Sequence, residues 1–473
     1  MDGRPSASAI DRAKIELERA LGPSKVLVDP SACEPYGRDD SPFLPAATPD
    51  VVVLADTAED ARRALEIAER CDVPVTPRAG GTGRTGGAVP AHGGIVLATH
   101  PMKRVLEVHK EDMVAVVEPG VVLGELQALV EEEGLFYAPD PNSLDTCQIG
   151  GNVAENAGGP RAFKYGVTRD WVLGVEALLV GGRALQVGRR TSKGVTGYDV
   201  AALLVGSEGT LAVFSKVVLR LAPRPPELAT VLALFSDVRA AASSVTRVVA
   251  AGQVPRCLEL LDAETLGAVR AAGVSVDTRA GAMLLVEVDG DAAAVESAMA
   301  RVGEALSSAP GVIDVVAAQD AAQRARLWAA RKSLSLATRK LTKHKLSEDV
   351  VVPRSKIAEL LARVDEIGAR ERVRHLAYGH AGDGNLHVNF LWNEPDEEPR
   401  VQAAIDALMR ATVALGGTLS GEHGIGLAKA PWLGVEQSGE LIALQQDLKR
   451  VFDPKGLLNP GKIFSGSGPH RSC

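Results

Sequence analysis

Short apolar runs alternate with amphipathic stretches along the whole chain, which is the pattern of a protein with both helices and strands. Thr57 and Asp60 stand three residues apart and predict a capping box at the start of a helix over residues 61–70. The proline-rich segment 222–226 ends the first half of the chain. Strands are predicted where apolar residues run together, at residues 51–55, 94–98, 113–118 and 211–221.

The second half repeats a strand–helix–strand order twice. This order predicts a ferredoxin-like antiparallel sheet, and the fold class is therefore α+β. A longer helix over residues 321–341 follows, and further helices are predicted at residues 400–415 and 439–452. The repeated order is carried by strands at 230–235, 256–261, 282–288 and 312–317 and by helices at 240–251 and 292–307.

The segment 378–389 is unusual because it holds two histidines around a Gly-Asp-Gly turn. His380 and His387 are seven residues apart, which would place them on opposite faces of one continuous strand. Glycine, aspartate and asparagine favour a tight turn between them. We therefore predict a hairpin that brings the two imidazoles together, with Asn389 on the same face as His387.

A second polar stretch, residues 420–426, places Glu422 and His423 between glycines. Two histidines and a glutamate are good ligands for Zn²⁺ or a related divalent ion, with a position left for substrate. The alternative is a pair of buried structural histidines in a glycine-rich loop. We favour a metal site because four metal-competent side chains fall in two stretches framed by glycine.

Glycine-rich segments mark the first half. Residues 78–90 contain five glycines, without the Gly-Lys-Ser/Thr ending of a Walker A loop and without a helix opening after a GxGxxG pattern. Consecutive glycines let backbone N–H groups converge on a pyrophosphate, although a flexible surface loop is the alternative. Residues 139–159 are too polar and small for a core and suggest a ligand, and residues 206–211 form a third such turn.

The composition of the chain limits the classes of binding partner and the cellular compartment that we expect. The chain has 473 residues, enough for two or three domains, and only 4% of them are aromatic. A net charge of −8 argues against nucleic acid or an anionic membrane surface as the main partner. The five cysteines form no CxxC pair and fit a reducing cytosol. No apolar run is long enough for a transmembrane segment; we expect a cytoplasmic protein, with peripheral attachment at the inner membrane left open.

The three glycine-rich stretches resemble the flavin-binding (PCMH-type) domain of the vanillyl-alcohol oxidase / p-cresol methylhydroxylase superfamily. The second half resembles its FAD-linked oxidase C-terminal domain, and residues 25–465 together resemble the D-2-hydroxyacid dehydrogenases. This resemblance implies an FAD-binding domain over 25–222, a substrate or cap domain over 227–425, and a helical segment over 426–465 that returns to the flavin. Residues 80–83 contain no histidine, so FAD is expected to bind noncovalently.

The resemblance also implies which residues contact FAD. The first loop would wrap the pyrophosphate, and the second would line the isoalloxazine and ribityl chain. The turn at Glu208 would lie on the adenine side, and the terminal Asn-Pro-Gly-Lys motif would reach the flavin ring. The implied FAD contacts are Arg78, Ala79, Gly80, Gly81, Thr82, Gly83, Gly86, Gly87, Asp140, Ser143, Cys147, Gly150, Gly151, Asn152, Ala154, Asn156, Gly158, Gly159, Glu208, Gly209 and Asn459.

On the substrate side the resemblance implies a Zn²⁺ or Mn²⁺ ion on His380, His387 and Glu422. His423 would be the base that removes the hydroxyl proton while hydride passes from Cα to flavin N5. Arg331 would grip the substrate carboxylate. Asn389 could hydrogen-bond the substrate carboxylate, and Lys345 is a further candidate for substrate contact.

The substrate prediction rests on one departure from the family pattern. Ser347 stands where hydroxyglutarate-type members tend to carry lysine, which favours a monocarboxylate such as D-lactate or glycolate. D-2-hydroxyglutarate stays an alternative, because Lys345 is only two residues away. An alkylglycerone-phosphate synthase-like transferase and a noncatalytic flavin subunit are further alternatives. The electron acceptor would be a quinone, an electron-transfer flavoprotein or a partner subunit, and a homodimer is left open.

Overall fold

The computed structural model describes residues 4–464, apart from the side chains of residues 332, 335, 336 and 339. Contacts divide the chain into two units. The first unit holds the described residues up to Gly158, then Val167–Arg224, and the described residues from Glu422 onwards. The second unit holds Gly159–Gly166 and Pro225–Gly421.

The elements alternate throughout, as the apolar pattern predicts, and the α+β class is confirmed. Up to residue 224 they are α1 (Ala7–Leu21), β1 (Val26–Leu27), α2 (Pro30–Cys33), β2 (Val51–Leu54), α3 (Ala58–Cys71), β3 (Val75–Arg78), β4 (Ile95–Ala98), β5 (Val105–His109), β6 (Val114–Val117), α4 (Leu123–Glu132), β7 (Leu135–Phe136), α5 (Ile149–Glu155), α6 (Ala162–Tyr165), β8 (Val172–Leu178), β9 (Ala184–Gly188), α7 (Val200–Leu204), β10 (Val213–Arg220) and β11 (Ala222–Pro223).

The remaining elements form the second unit and then return to the first. They are β12 (Glu227–Phe235), α8 (Val238–Ala250), β13 (Cys257–Asp262), α9 (Ala263–Ala271), β14 (Ala282–Gly290), α10 (Ala292–Ser307), β15 (Val312–Ala317), α11 (Ala321–Lys332), α12 (Leu334–Arg339), β16 (His344–Val351), α13 (Ile357–Glu371), β17 (Arg374–His380), β18 (Asn385–Trp392), α14 (Glu398–Ala414), α15 (Leu433–Glu436) and α16 (Gly439–Phe452).

The first unit is built on two main sheets. In one, β2, β4 and β3 run parallel and β1 adds an antiparallel edge, in the order β1-β2-β4-β3. The other is antiparallel, in the order β5-β6-β10-β8-β9. The helices α1 and α3 bury Leu17 and Leu65 in one core with strand residues such as Ile95 and Leu97. The predicted capping box is confirmed, since Thr57 and Asp60 exchange side-chain and backbone hydrogen bonds at the start of α3.

The second unit contains one seven-stranded antiparallel sheet, in the order β15-β12-β14-β13-β17-β18-β16. The cross-strand register places Glu287, Glu259, His380 and His387 on a single face, which we call the polar face of the sheet. Leucines and a tyrosine on this same face pack against α9, α11 and α12 and form a core. The polar residues are thus fixed by rigid strands under a helical cover.

The helix predicted over residues 321–341 is two helices, and the prediction of one helix is wrong. Helix α11 ends at Lys332 and α12 begins at Leu334. Ser333 lies between them, and its hydroxyl donates a hydrogen bond to the carbonyl of Ala330 at 3.0 Å. Serine side chains compete in this way with the helical backbone ladder, which accounts for a break where no glycine or proline occurs.

Within the described part of the chain, no helix combines the length and the apolar character that crossing a bilayer would require.

Candidate functional site

The two histidines lie on a hairpin, as the sequence predicts. His380 ends β17, and β18 begins at Asn385, directly opposite it in the ladder. Gly384 closes the turn with a φ of +88°, and a Cβ there would stand 2.0 Å from the carbonyl oxygen of Val352. Only glycine fits this position. The two imidazole rings are 5.3 Å apart and nearly perpendicular, and a ring nitrogen of each lies within 4.8 Å of the other.

Glu259 joins the histidine to the predicted substrate arginine. Its Oε2 accepts a hydrogen bond from Nε of Arg331 at 2.6 Å, and its Oε1 lies 2.6 Å from Nδ1 of His380. All three side chains are buried, with exposed fractions of 0%, 7% and 2% for Glu259, Arg331 and His380. Burial would raise the pKa of Glu259, but the charges of His380 and Arg331 outweigh it and lower that pKa to about 2.

Glu259 is a site residue that the sequence did not predict. It is the only acidic residue before Asp262 in the apolar strand β13, and its partners are 72 and 121 positions away. An acidic residue inside an apolar strand is a signal of a buried polar role. The position of its partners could not be read from the local pattern.

The guanidinium of Arg331 is held in place by two neighbours. Besides its bond to Glu259, its central carbon lies 5.4 Å from the ring centre of Tyr378. Tyr378 in turn stands opposite His387 in the ladder, with ring centres 5.6 Å apart. A cation over an aromatic ring gains electrostatic attraction when it is desolvated. Arg331 therefore belongs to the same cluster of the polar face as the two histidines.

The predicted substrate contacts Asn389 and Lys345 lie farther along the same face. Asn389 is fully buried and donates a hydrogen bond to the carbonyl of His387 at 2.9 Å. Its Oδ1 has no hydrogen-bond partner among residues 4–464. Ser347 stands opposite Asn389 in the ladder, and Lys345 donates to the hydroxyl of Thr338 at 3.0 Å. A buried acceptor without a partner is the feature expected where a ligand supplies a donor.

Asp349 fixes the chain immediately before Glu422. Its Oδ2 accepts hydrogen bonds from the Ser420 hydroxyl and the Gly421 backbone amide, each at 2.8 Å, and its Oδ1 accepts one from the side-chain amide of Asn385. Asp349 is fully buried and stands opposite His387 in the ladder. The strand that faces the histidine thus also anchors the segment that carries the predicted glutamate.

Glu422 and His423 begin the return of the chain to the first unit. There the hydroxyl of Thr85 donates to the carbonyl of His423 at 3.0 Å, so the segment is bound to the glycine-rich loop. The carboxylate of Glu208 accepts hydrogen bonds from the amides of Ile425 and Gly426 at 2.8 and 2.6 Å. Glu208, which the resemblance assigns to the cofactor, therefore holds the loop that follows His423.

The first glycine-rich loop begins at the end of β3, and five of its residues are glycines. Gly81 has a φ of +68°, and a Cβ at that residue would collide with the guanidinium of Arg78. That guanidinium donates to the carbonyl of Arg38 at 2.7 Å and lies 5.8 Å from the ring centre of Tyr36. Burial lowers the pKa of Arg78. The predicted contacts Ala79 to Gly87 lie in this one loop.

The second predicted stretch spans a loop and a helix. Asp140, Ser143 and Cys147 precede α5, and the N-terminal part of α5 carries glycines in place of bulky side chains. Asn156 ends the helix in the left-handed conformation with a φ of +55°. Gly158 follows in the first unit, whereas Gly159 belongs to the second. The residues of α5 that the resemblance assigns to FAD are Gly150, Gly151, Asn152 and Ala154.

The terminal motif closes the first unit against these loops. The side-chain amide of Asn459 donates to the carbonyls of Gly87 and Glu208 at 3.0 and 2.7 Å. Lys462 is buried, and burial lowers its pKa to about 8 although Asp39 and Glu208 act to raise it. Asn459 thus links the first loop to the turn that holds Gly209.

These residues fit a flavin nucleotide on two observations. A Cβ at Gly80 would stand 2.8 Å from the carbonyl oxygen of Thr146 and one at Gly87 would stand 2.7 Å from a carboxylate oxygen of Glu155, so only backbone fits at these two positions. The polar atoms Gln148 Oε1, Ser207 Oγ and Asn459 Oδ1 are buried without a hydrogen-bond partner in the described chain. Buried polar atoms of this kind normally find a partner in a ligand or an ordered water. The contact of each individual residue with FAD stays a prediction.

Two known protein families match this chain, one in its first half and one in its second half. Residues 49–188 match the FAD binding domain family. Residues 224–463 match the C-terminal domain of FAD linked oxidases. The boundary near residue 224 coincides with the end of the Val167–Arg224 part of the first unit.

Curated relatives cover nearly the whole chain. Glycolate oxidase subunit GlcD of Bacillus subtilis is 40% identical over 433 residues, which is 91% of this chain and 92% of the relative. D-lactate dehydrogenase of Anaerostipes hadrus is 33% identical over 460 residues, which is 95% of this chain and 96% of the relative. The chain thus matches these proteins across both of its units.

Solved structures agree on the fold. A p-cresol methylhydroxylase structure superposes with a TM-score of 0.81 at 16% identity, covering 97% of each chain. An alkyldihydroxyacetonephosphate synthase superposes with a TM-score of 0.74 at 18% identity, covering 97% of this chain and 86% of that one. At these identities the likeness concerns the fold alone.

Proposed function

Because the chain belongs to the FAD-linked oxidases, with an FAD binding domain and the family's C-terminal domain, we propose that it is a metal-dependent dehydrogenase of D-2-hydroxy acids. D-lactate and glycolate are the favoured substrates and the 2-oxo acid is the product. One observation carries the proposal: on one face of one sheet, Glu259 contacts both His380 and the buried Arg331, and the ring of His387 lies 5.3 Å from that of His380.

The chain's own residues would divide the work as follows. His380, His387 and Glu422 would hold a divalent ion, Zn²⁺ or Mn²⁺, which suits a set of two imidazoles and a carboxylate. Arg331 would bind the substrate carboxylate, since a guanidinium forms charge-assisted hydrogen bonds with it. His423 would accept the hydroxyl proton, because a neutral imidazole is matched to proton transfer near pH 7.

When bound, FAD would supply the acceptor for the hydride from Cα, and the divalent ion would polarise the α-hydroxyl. The buried Oδ1 of Asn389 refines the prediction made for this residue. Its amide nitrogen already donates to the carbonyl of His387, whereas Oδ1 has no partner within residues 4–464. An acceptor in this position suits a hydroxyl group of the substrate better than a carboxylate.

Substrate size is the basis for preferring a monocarboxylate. Ser347 stands opposite Asn389 and offers only a short hydroxyl, and the ammonium of Lys345 donates to Thr338. A second carboxylate, as in D-2-hydroxyglutarate, would need Lys345 to exchange Thr338 for the substrate. The names of the two curated relatives point the same way, to glycolate and to D-lactate.

A transferase that uses FAD without net oxidation is the alternative from another class. The alkyldihydroxyacetonephosphate synthase structure shares the fold at 18% identity. The relatives at 40% and 33% identity are named as an oxidase subunit and a dehydrogenase. The oxidoreductase proposal therefore has the support of the more similar sequences.

Removal of the metal tests the proposal. After treatment with EDTA or phenanthroline, we expect the rate of flavin bleaching by D-lactate or glycolate to fall at least about 100-fold, since Lewis-acid stabilisation is worth several kcal/mol. The flavin absorbance itself should stay unchanged. Zn²⁺ or Mn²⁺ should restore bleaching, whereas Mg²⁺ should not, because Mg²⁺ prefers oxygen ligands to imidazole. A fully chelated protein that bleaches at the original rate would remove the metal from the account.

A further inference from the structure

Glu259 has a bonding pattern that the proposed roles of His380 and Arg331 do not explain. One carboxylate serves both residues, with a separate oxygen for each at 2.6 Å. Glu259 is fully buried, and its ladder neighbour on β14 is Leu285. Burying an ionised group costs several kcal/mol unless it is paired and hydrogen-bonded. An apolar side chain at this position of the leucine-lined sheet would avoid the free-energy cost of burying a charge.

The two hydrogen bonds determine where protons lie. Arg331 can only donate, so Glu259 meets it as an ionised acceptor. The hydrogen between Glu259 and His380 then belongs to Nδ1 of the imidazole, so that in the neutral ring, the form that can bind a metal, Nε2 carries the lone pair. Histidines that bind metals commonly donate their other ring N–H to a carboxylate, which fixes the tautomer and orients the ring. The position of Arg331 is fixed at the same time, through Nε and the ring of Tyr378.

We propose that Glu259 is the positioning residue of the site, which holds His380 in the Nδ1–H tautomer with Nε2 directed to the metal and aligns Arg331 for the substrate carboxylate. This inference rests on the proposed function for the identity of the two groups it positions. Glu259 itself would touch neither metal nor substrate. It would couple the metal ligand His380 to the substrate-binding Arg331, since a shift of the carboxylate at one oxygen also moves the residue bonded to the other oxygen.

Glu287 provides a matched control for this inference. It lies on the neighbouring strand β14 and on the same face, with an exposed fraction of 6%. Its Oε2 accepts hydrogen bonds from Trp328 of α11 and from Thr230, at 2.9 and 3.0 Å. It therefore shares the burial and the helical contact of Glu259. Within residues 4–464, Glu287 contacts neither His380 nor Arg331.

The first test reads the tautomer without metal or substrate. Protein with bound FAD, stripped of metal and labelled with ¹⁵N-histidine, would be compared by long-range ¹H–¹⁵N NMR as wild type, Glu259→Gln and Glu287→Gln, with His380→Asn to assign the signal. At a pH high enough for the ring to be neutral, we expect a pure Nδ1–H pattern for His380 in wild type and in Glu287→Gln, and an Nε2–H form in Glu259→Gln. An unchanged Nδ1–H pattern in Glu259→Gln would overturn the inference.

The second test measures zinc affinity by competition with a chromogenic chelator. Glu259→Gln should bind Zn²⁺ about 10- to 100-fold more weakly than wild type, the range typical for loss of a residue that orients a metal-binding histidine. Glu287→Gln should stay within about twofold of wild type, and Glu259→Asp, which keeps the charge, should fall between them. Equal affinity of wild type and Glu259→Gln would contradict the inference.

The two tests separate this inference from the proposed function. If wild type binds no Zn²⁺ at His380 and His387, the metal part of the proposed function fails, and the NMR pattern alone decides whether Glu259 sets the tautomer. Retention of the flavin spectrum and the melting temperature check that each variant is folded. Should Glu259→Gln lose its flavin, Glu259→Asp is compared with wild type instead: its shorter side chain should weaken Zn²⁺ binding, and an affinity and an Nδ1–H pattern equal to those of wild type would count against the positioning role.

Discussion

Replacement of His423 by alanine should slow substrate-dependent flavin reduction by about 100- to 10,000-fold, the range that general base catalysis contributes. His423 follows Glu422 directly, and its backbone carbonyl is fixed by the hydroxyl of Thr85. The protein should keep its FAD, because the predicted flavin contacts lie in other segments. Anaerobic stopped-flow absorbance with D-lactate or glycolate measures the rate.

The His423 prediction has two controls. His109→Gln, at a side chain that is 50% exposed, should leave the rate within about twofold of wild type. Added imidazole should restore part of the rate to His423→Ala, since a small base can occupy the space of the lost ring. Bleaching of His423→Ala at the wild-type rate would exclude this histidine as the base.

Replacement of Arg331 by lysine should lower kcat/KM by about 100-fold, mainly through a higher KM. A hydrogen bond to a charged group is worth roughly 1.5–3 kcal/mol, and lysine cannot form the fork of bonds that a guanidinium offers. The bond to Glu259 and the contact with Tyr378 would be weakened at the same time. Steady-state kinetics over a range of substrate concentration separates KM from kcat.

Arg326→Lys is the matched control, because Arg326 lies on the same helix α11 and is exposed. It should leave both constants unchanged. A fall in kcat at unchanged KM for Arg331→Lys would mean that this arginine acts in the transition state alone. Unchanged kinetics in Arg331→Lys would show that the substrate carboxylate is bound elsewhere.

Local features of this fold could be predicted from the sequence because local chemistry decides them. The capping box of Thr57 and the hydrogen bond from the Gly384 amide to the His380 carbonyl each join residues within four positions of each other. The hairpin prediction succeeded for the same reason, since Gly-Asp-Gly-Asn favours a turn whatever surrounds it. Helix α16 likewise has the predicted bounds, Gly439–Phe452.

The convergence at Glu259 could not be predicted, because it depends on the order of strands in the sheet. Strand β13 pairs with β17, more than 110 residues later, and only this pairing places Glu259 beside His380. Nor does the sequence reveal that Glu208 binds the backbone of Ile425 and Gly426. The break at Ser333 was missed because residues 321–341 contain neither glycine nor proline.

One measurement tests the central claim most directly: anaerobic bleaching of the bound flavin by D-lactate, glycolate, D-2-hydroxyglutarate and L-lactate in parallel. We expect full bleaching by D-lactate or glycolate, with one 2-oxo acid formed per flavin, and little or none by L-lactate. Faster bleaching by D-2-hydroxyglutarate would transfer the assignment to that substrate. A protein that carries FAD but keeps it oxidised with all four acids would contradict the account.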